Sequence, residues 1–166
     1  MRPTTTPRPT PPQKLKLRIL GSGTILISEA WVDAGDRSLR RPAPSFTAIR
    51  AQRVQRAPEP SISAAVLATD ATAEDQAKAL ARALGARRGA RVAAPPAPIR
   101  FFDGAEGYEV VTTTQATASA LIRQRHVIRA VDGELHYLVA SVPLRDEAAD
   151  AEARRALSTY DPIRAS

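Results

Sequence analysis

The stretch LIRQRHVIRAVDGELHYLVASV, residues 121–142, decides the fold. Asp132-Gly133 supplies two residues tolerant of positive φ, as the type I′ turn of a two-residue hairpin requires, and both flanks are rich in β-formers. That turn sets Val131 opposite Glu134. Counting outward pairs Arg129 with His136, Val127 with Leu138, Arg125 with Ala140 and Arg123 with Val142 on one face. The other face pairs Ala130 with Leu135, Ile128 with Tyr137, His126 with Val139 and Gln124 with Ser141.

Near the turn the second face is wholly apolar and is expected to meet the core. The first mixes Arg123, Arg125 and Arg129 with Val127, Leu138, Ala140 and Val142. Such alternation suits a water-exposed sheet surface or an amphipathic binding surface. The two histidines project to opposite faces, so they are not expected to share a metal or form a relay.

Outward from the hairpin the chain keeps an antiparallel grammar. A polar, alanine-rich helix is expected from about Asp146 to Leu157, turning Ala149, Ala153, Ala156, Leu157 and then Tyr160 towards the sheet. Upstream, Ile99 to Phe102 reads as a strand turning through Asp103-Gly104 into a second strand over Gly107 to Thr114. A helix is expected after Thr72, which caps it with Asp75 three residues on, and Ala73, Ala77, Leu80, Ala81 and Leu84 follow at helical spacing. Gly85 stands where a left-handed residue often ends a helix.

In the first half, Leu15, Leu17 and Ile19 alternate with Lys16 and Arg18, Gly21-Ser22-Gly23 turns, and Thr24 to Ser28 forms a short strand. Phe46 to Val54 alternates again. The order of strands, helix, consecutive strands and helix predicts a single α+β domain, an antiparallel meander packed with two main helices, because parallel crossovers would need a helix between each strand pair.

The 166 residues fit one domain over residues 15–166 with a modest aliphatic core. Residues 1–14 read as a flexible Pro/Thr/Arg tail. The net charge of +7 is unevenly placed: no acid precedes Glu29, while Arg2, Arg8, Lys14, Lys16 and Arg18 are basic. Absence of cysteine excludes disulfides and thiolate metal sites. No apolar run approaches the roughly 20 residues that span a bilayer, and no signal segment is visible, so a cytoplasmic location without stable membrane insertion is expected.

The segments Ile27 to Asp33, Ser45 to Arg50, Ala73 to Leu84, Arg123 to Ile128 and Gly133 to Val139, with the closing acidic helix, resemble DcrB-like proteins of the PsbP-like fold over roughly residues 24–162. Relatives of that family include envelope lipoproteins and the Eag chaperones of type VI secretion, which hold the hydrophobic N-terminal region of an effector. The chain lacks the lipoprotein signal and its cysteine, so the resemblance implies a non-enzymatic cytoplasmic chaperone or adaptor of a secreted effector with apolar N-terminal helices. Dimerisation is implied in the same way, and no cofactor is expected.

On that reading the candidate partner-binding residues are Arg123, Gln124, Arg125, Val127, Arg129, Leu138 and Ala140, the arginines adding aliphatic stems as well as charge. Gln124 can bond a partner's backbone, or simply satisfy a neighbouring strand. His126 is expected to be a packed, hydrogen-bonded structural histidine, and Trp31 an anchor rather than a ligand stack. Asp33, Asp36 and Asp103 sit in turn-like contexts. Nucleic-acid binding is the rival class, through Arg87, Arg88, Arg91 and the basic tail. The aromatic platforms that usually accompany single-strand binding are missing from the hairpin. No nucleophile and base pair or metal-ligand set emerges, and an envelope protein remains the other alternative.

Overall fold

A computed structural model describes residues 14–35, 37–41, 58–118 and 120–163. In chain order the elements are β1 (Leu15–Leu20), β2 (Gly23–Ser28), β3 (Val32–Asp33), β4 (Ser38–Arg40), β5 (Ser61–Leu67), α1 (Ala73–Gly85), β6 (Ala90–Val92), β7 (Ala97–Arg100), β8 (Glu106–Thr117), β9 (Ala120–Val131), β10 (Glu134–Pro143), α2 (Glu147–Ser158) and β11 (Asp161–Pro162). The alternation over Phe46 to Val54, the tail before Lys14 and Asp36 lie outside the described residues.

The hairpin of β9 and β10 has the register read from its turn. Val131 pairs with Glu134 and every pair out to Arg123 and Val142 follows. Asp132 (φ 49°) and Gly133 (φ 84°) both adopt the left-handed conformation that the two-residue turn demands. β8 extends the meander on the far side of β9, and β5 pairs antiparallel with β10.

The eight-stranded sheet runs β3-β4-β5-β10-β9-β8-β6, with β7 also on β8, and a smaller sheet runs β1-β2-β11. All pairs are antiparallel. Between β5 and β6 the chain crosses one face of the large sheet as α1. Thr72 caps α1 by accepting the Asp75 N–H at 3.1 Å and donating to its carboxylate at 2.9 Å. Gly85 is the last helical residue and not a left-handed stop: Ala86 caps in the right-handed region, and the left-handed glycine is Gly89.

Each face of the large sheet has its own core. On one, α2 and the small sheet bury Leu20, Ile25, Ile27, Trp31, Leu39, Val127, Leu138, Ala140 and Val142 beneath the alanines of α2, Leu157 and Tyr160. On the other, α1 lays Ala77 and Leu84 over Val110, Ile128 and Leu135. The alanines let α2 lie close to the sheet, and Trp31 fills the edge, its indole N–H donating to Glu152 at 2.8 Å.

This two-sided cover corrects the assignment of faces. Val127, Leu138, Ala140 and Val142, expected to line a partner surface, are at most 1% exposed. Arg129 is buried with them, and Arg123 and Arg125 are held under the edge of α2. Arginines on this face do not mark water, because their counter-charges arrive from elements distant in sequence.

Candidate functional site

The arginine face is an internal electrostatic joint. Asp150, in the first turn of α2, accepts from Arg123 at 2.8 Å and from Nε and Nη2 of Arg125, both at 2.8 Å. Arg125 also donates to Glu109 at 3.1 Å. This bidentate fork holds the Asp150 carboxyl below the usual carboxylate range, chiefly through the Arg125 hydrogen bonds, and raises the Arg125 guanidinium pKa. Arg129 donates to the Tyr160 carbonyl at 2.7 Å and to Asp103, and its guanidinium lies 4.6 Å from the Phe101 ring centroid. Asp103 is meanwhile fixed in its turn by the Ala105 N–H. Six of the seven residues proposed to bind a partner, all but Gln124, are therefore absorbed by packing or pairing on the α2 side of the sheet, Arg123 through Asp150.

The cleft beside this joint, about 490 Å³ and lined by Arg125, Glu147, Asp150, Ala151, Arg154, Arg155 and Ser158, offers no nucleophile and base at hydrogen-bonding distance. Among the described residues no cluster of three His, Cys, Asp or Glu could hold a metal ion.

The histidines occupy opposite faces, as the register requires. His126 lies 2.6 Å from the Tyr137 hydroxyl through Nδ1 and 3.3 Å from the Thr112 hydroxyl through Nε2. Burial, with the nearby Arg87 charge, pushes its pKa down to about 4. His136 lies 2.9 Å from the Tyr160 hydroxyl, and burial lowers its pKa too. Both imidazoles are packed against hydroxyl partners and neutral at neutral pH.

Gln124 is the predicted residue that lies on the uncovered part of the opposite sheet face. α1 covers only part of its face of the sheet. Beyond His126 the floor continues as Ile122, Gln124, Val139 and Ser141, with Thr114 on β8 and Ser61 and Ser63 on β5, all at least partly exposed. The Gln124 carbonyl accepts from Thr114 at 3.0 Å and its amide donates to Ser141 at 3.1 Å. Those bonds span β8, β9 and β10 and orient the amide. They leave one of its N–H donors and one lone pair for another group. Small hydroxyls on either side permit close approach of a partner backbone, and Ile122 and Val139 supply apolar contact. Sequence reasoning overlooked this surface because β5, whose serines form its rim, was not anticipated as a strand.

The sequence matches no family model and no curated protein. Solved structures do share its shape. LpqN of Mycobacterium tuberculosis, involved in cell envelope biogenesis, is 14% identical with a TM-score of 0.56, covering 90% of this chain and 91% of its own. The Ran-binding protein Mog1p of Saccharomyces cerevisiae is 11% identical at 0.54, covering 92% and 97%. PA94 of Pseudomonas aeruginosa, a protein of unknown function, is 18% identical at 0.51, covering 85% and 94%. At these identities the likeness concerns the fold: a single α+β domain of the Mog1/PsbP-like type. Among the described residues no helix is long and apolar enough to cross a membrane.

Proposed function

We propose that this chain is a non-enzymatic protein-binding module whose client lies across the open part of the large sheet, beside α1. The observation that carries this reading is the Gln124 amide, locked between Thr114 and Ser141 on an uncovered surface with bonding capacity to spare. An extended or helical segment presents backbone or hydroxyl groups that such an amide can register, while Ile122 and Val139 contact its apolar side chains. Protein binding is also what one neighbour of the same fold is named for.

In its most specific form the client is the apolar N-terminal helical region of a type VI secretion effector, held in the cytoplasm before export. The resemblance of the hairpin and flanking segments to the Eag chaperones supports that form, now with Gln124 and not the buried arginine face as its contact. Co-expression with such an effector tests it. The N-terminal region is expected to stay soluble with this protein and to aggregate alone; equal solubility in both cases rejects the chaperone role.

A role in the envelope is the second reading, favoured by the fold shared with LpqN. It predicts that cells lacking the protein show altered envelope permeability, with no effect on effector export.

A further inference from the structure

β1 stands at the end of the small sheet, with β2 on one side and, among the described residues, no strand on the other. An edge strand presents a row of unpaired N–H and C=O groups. The outward side chains of this one are aliphatic: Leu15, Leu17 and Ile19 are 49%, 65% and 68% exposed.

The alternate side chains are Lys16 and Arg18. Lys16 meets Glu29 at 3.0 Å in a water-exposed pair. Arg18 takes part in no salt bridge among the described residues, and its Nε is buried without a hydrogen-bond partner. Lysine on an edge is a common device against unwanted pairing, but such protection does not call for three exposed aliphatic side chains in alternation.

We propose that β1 is a docking edge for an extended segment of a partner protein, in which aliphatic and acidic residues alternate. Its backbone adds a fourth strand, its aliphatic residues lie beside Leu15, Leu17 and Ile19, and its carboxylates meet Lys16 and Arg18. A second copy of this chain fits less well: a two-fold axis perpendicular to the sheet sets the Lys16 and Arg18 row against itself, and facing like charges are destabilising. This surface is separate from the open face around Gln124, so the two readings stand or fall independently.

The test uses the full ¹⁵N-labelled chain and two acetylated eight-residue peptides, one alternating valine with glutamate and one alternating valine with lysine. The glutamate peptide is expected to shift and protect the amides of residues 15–20. It should bind at least tenfold more tightly than the lysine peptide, with the difference shrinking in high salt. Arg18→Glu should reduce or reverse that preference, and its thermal melt confirms that the variant is folded. Equal affinity for the two peptides, shifts confined to other strands, no binding of either at millimolar concentration, or self-association through β1 that excludes the peptide each overturns the proposal.

Discussion

Acidification should destabilise this protein through His126 before its carboxylates titrate. The folded pKa of about 4 lies below the ordinary value of 6.5, so the unfolded chain takes up a proton that the folded chain refuses. The stability is full above pH 6.5 and is lost as pH falls from there to about 4. Across the whole shift the loss is about 3 kcal/mol; between pH 7.5 and pH 5 it is about 2 kcal/mol. Stopping at pH 5 avoids Asp150 and Asp103, whose lowered pKa values place their own losses at more acid pH. Urea unfolding of the wild type and of His126→Gln, at several pH values in that window, isolates the effect, since His136 is common to both. The wild type should lose about 2 kcal/mol more than the variant. A difference below about 0.5 kcal/mol would show instead that His126 is solvated or already protonated in the folded protein.

Further substitutions test the packing and the turn. Asp150→Ala removes the carboxylate shared by Arg123 and Arg125 and should destabilise by about 3 kcal/mol in thermal or urea melts, with Arg125→Met added to it recovering part of the loss. Gly107→Ala would bring a Cβ within 2.5 Å of the Ile128 carbonyl oxygen and 2.8 Å of the Phe101 ring; the obstacle is largely backbone, so a loss of at least about 1–3 kcal/mol is expected. Gly133→Ala, at φ 84° in open space, should cost about 1–2 kcal/mol from backbone strain alone and leave the cooperativity of unfolding unchanged.

The hairpin was fully legible because Asp132-Gly133 specifies a turn, and a turn specifies a register. Both helices were legible in the same way, α1 from the Thr72 cap and α2 from the alanine spacing after Asp146. The face assignment was not, because local alternation cannot reveal that Asp150 and Asp103 return from elsewhere in the chain to meet Arg125 and Arg129. β5 was missed for a related reason. Its sequence SISAAVL is short and serine-rich, and it becomes a strand beside β10 only when long-range pairing supplies its partners. Short β6 and β11 depend likewise on β8 and β2. For the site, Gln124 was identified as able to bond a partner or a neighbouring strand. The structure shows the second, with Thr114 and Ser141, on a surface open enough for the first.

Site-specific photo-crosslinking tests the client-binding face most directly. Benzoylphenylalanine is placed at Ser63, exposed on the open face, and separately at Ala151, exposed on α2, in cells that co-express a candidate effector N-terminal region. A crosslink to the client from position 63 that Gln124→Lys weakens is expected, and none from position 151. A crosslink from position 151 alone, or one from position 63 that Gln124→Lys leaves unchanged, would contradict client binding on the open face.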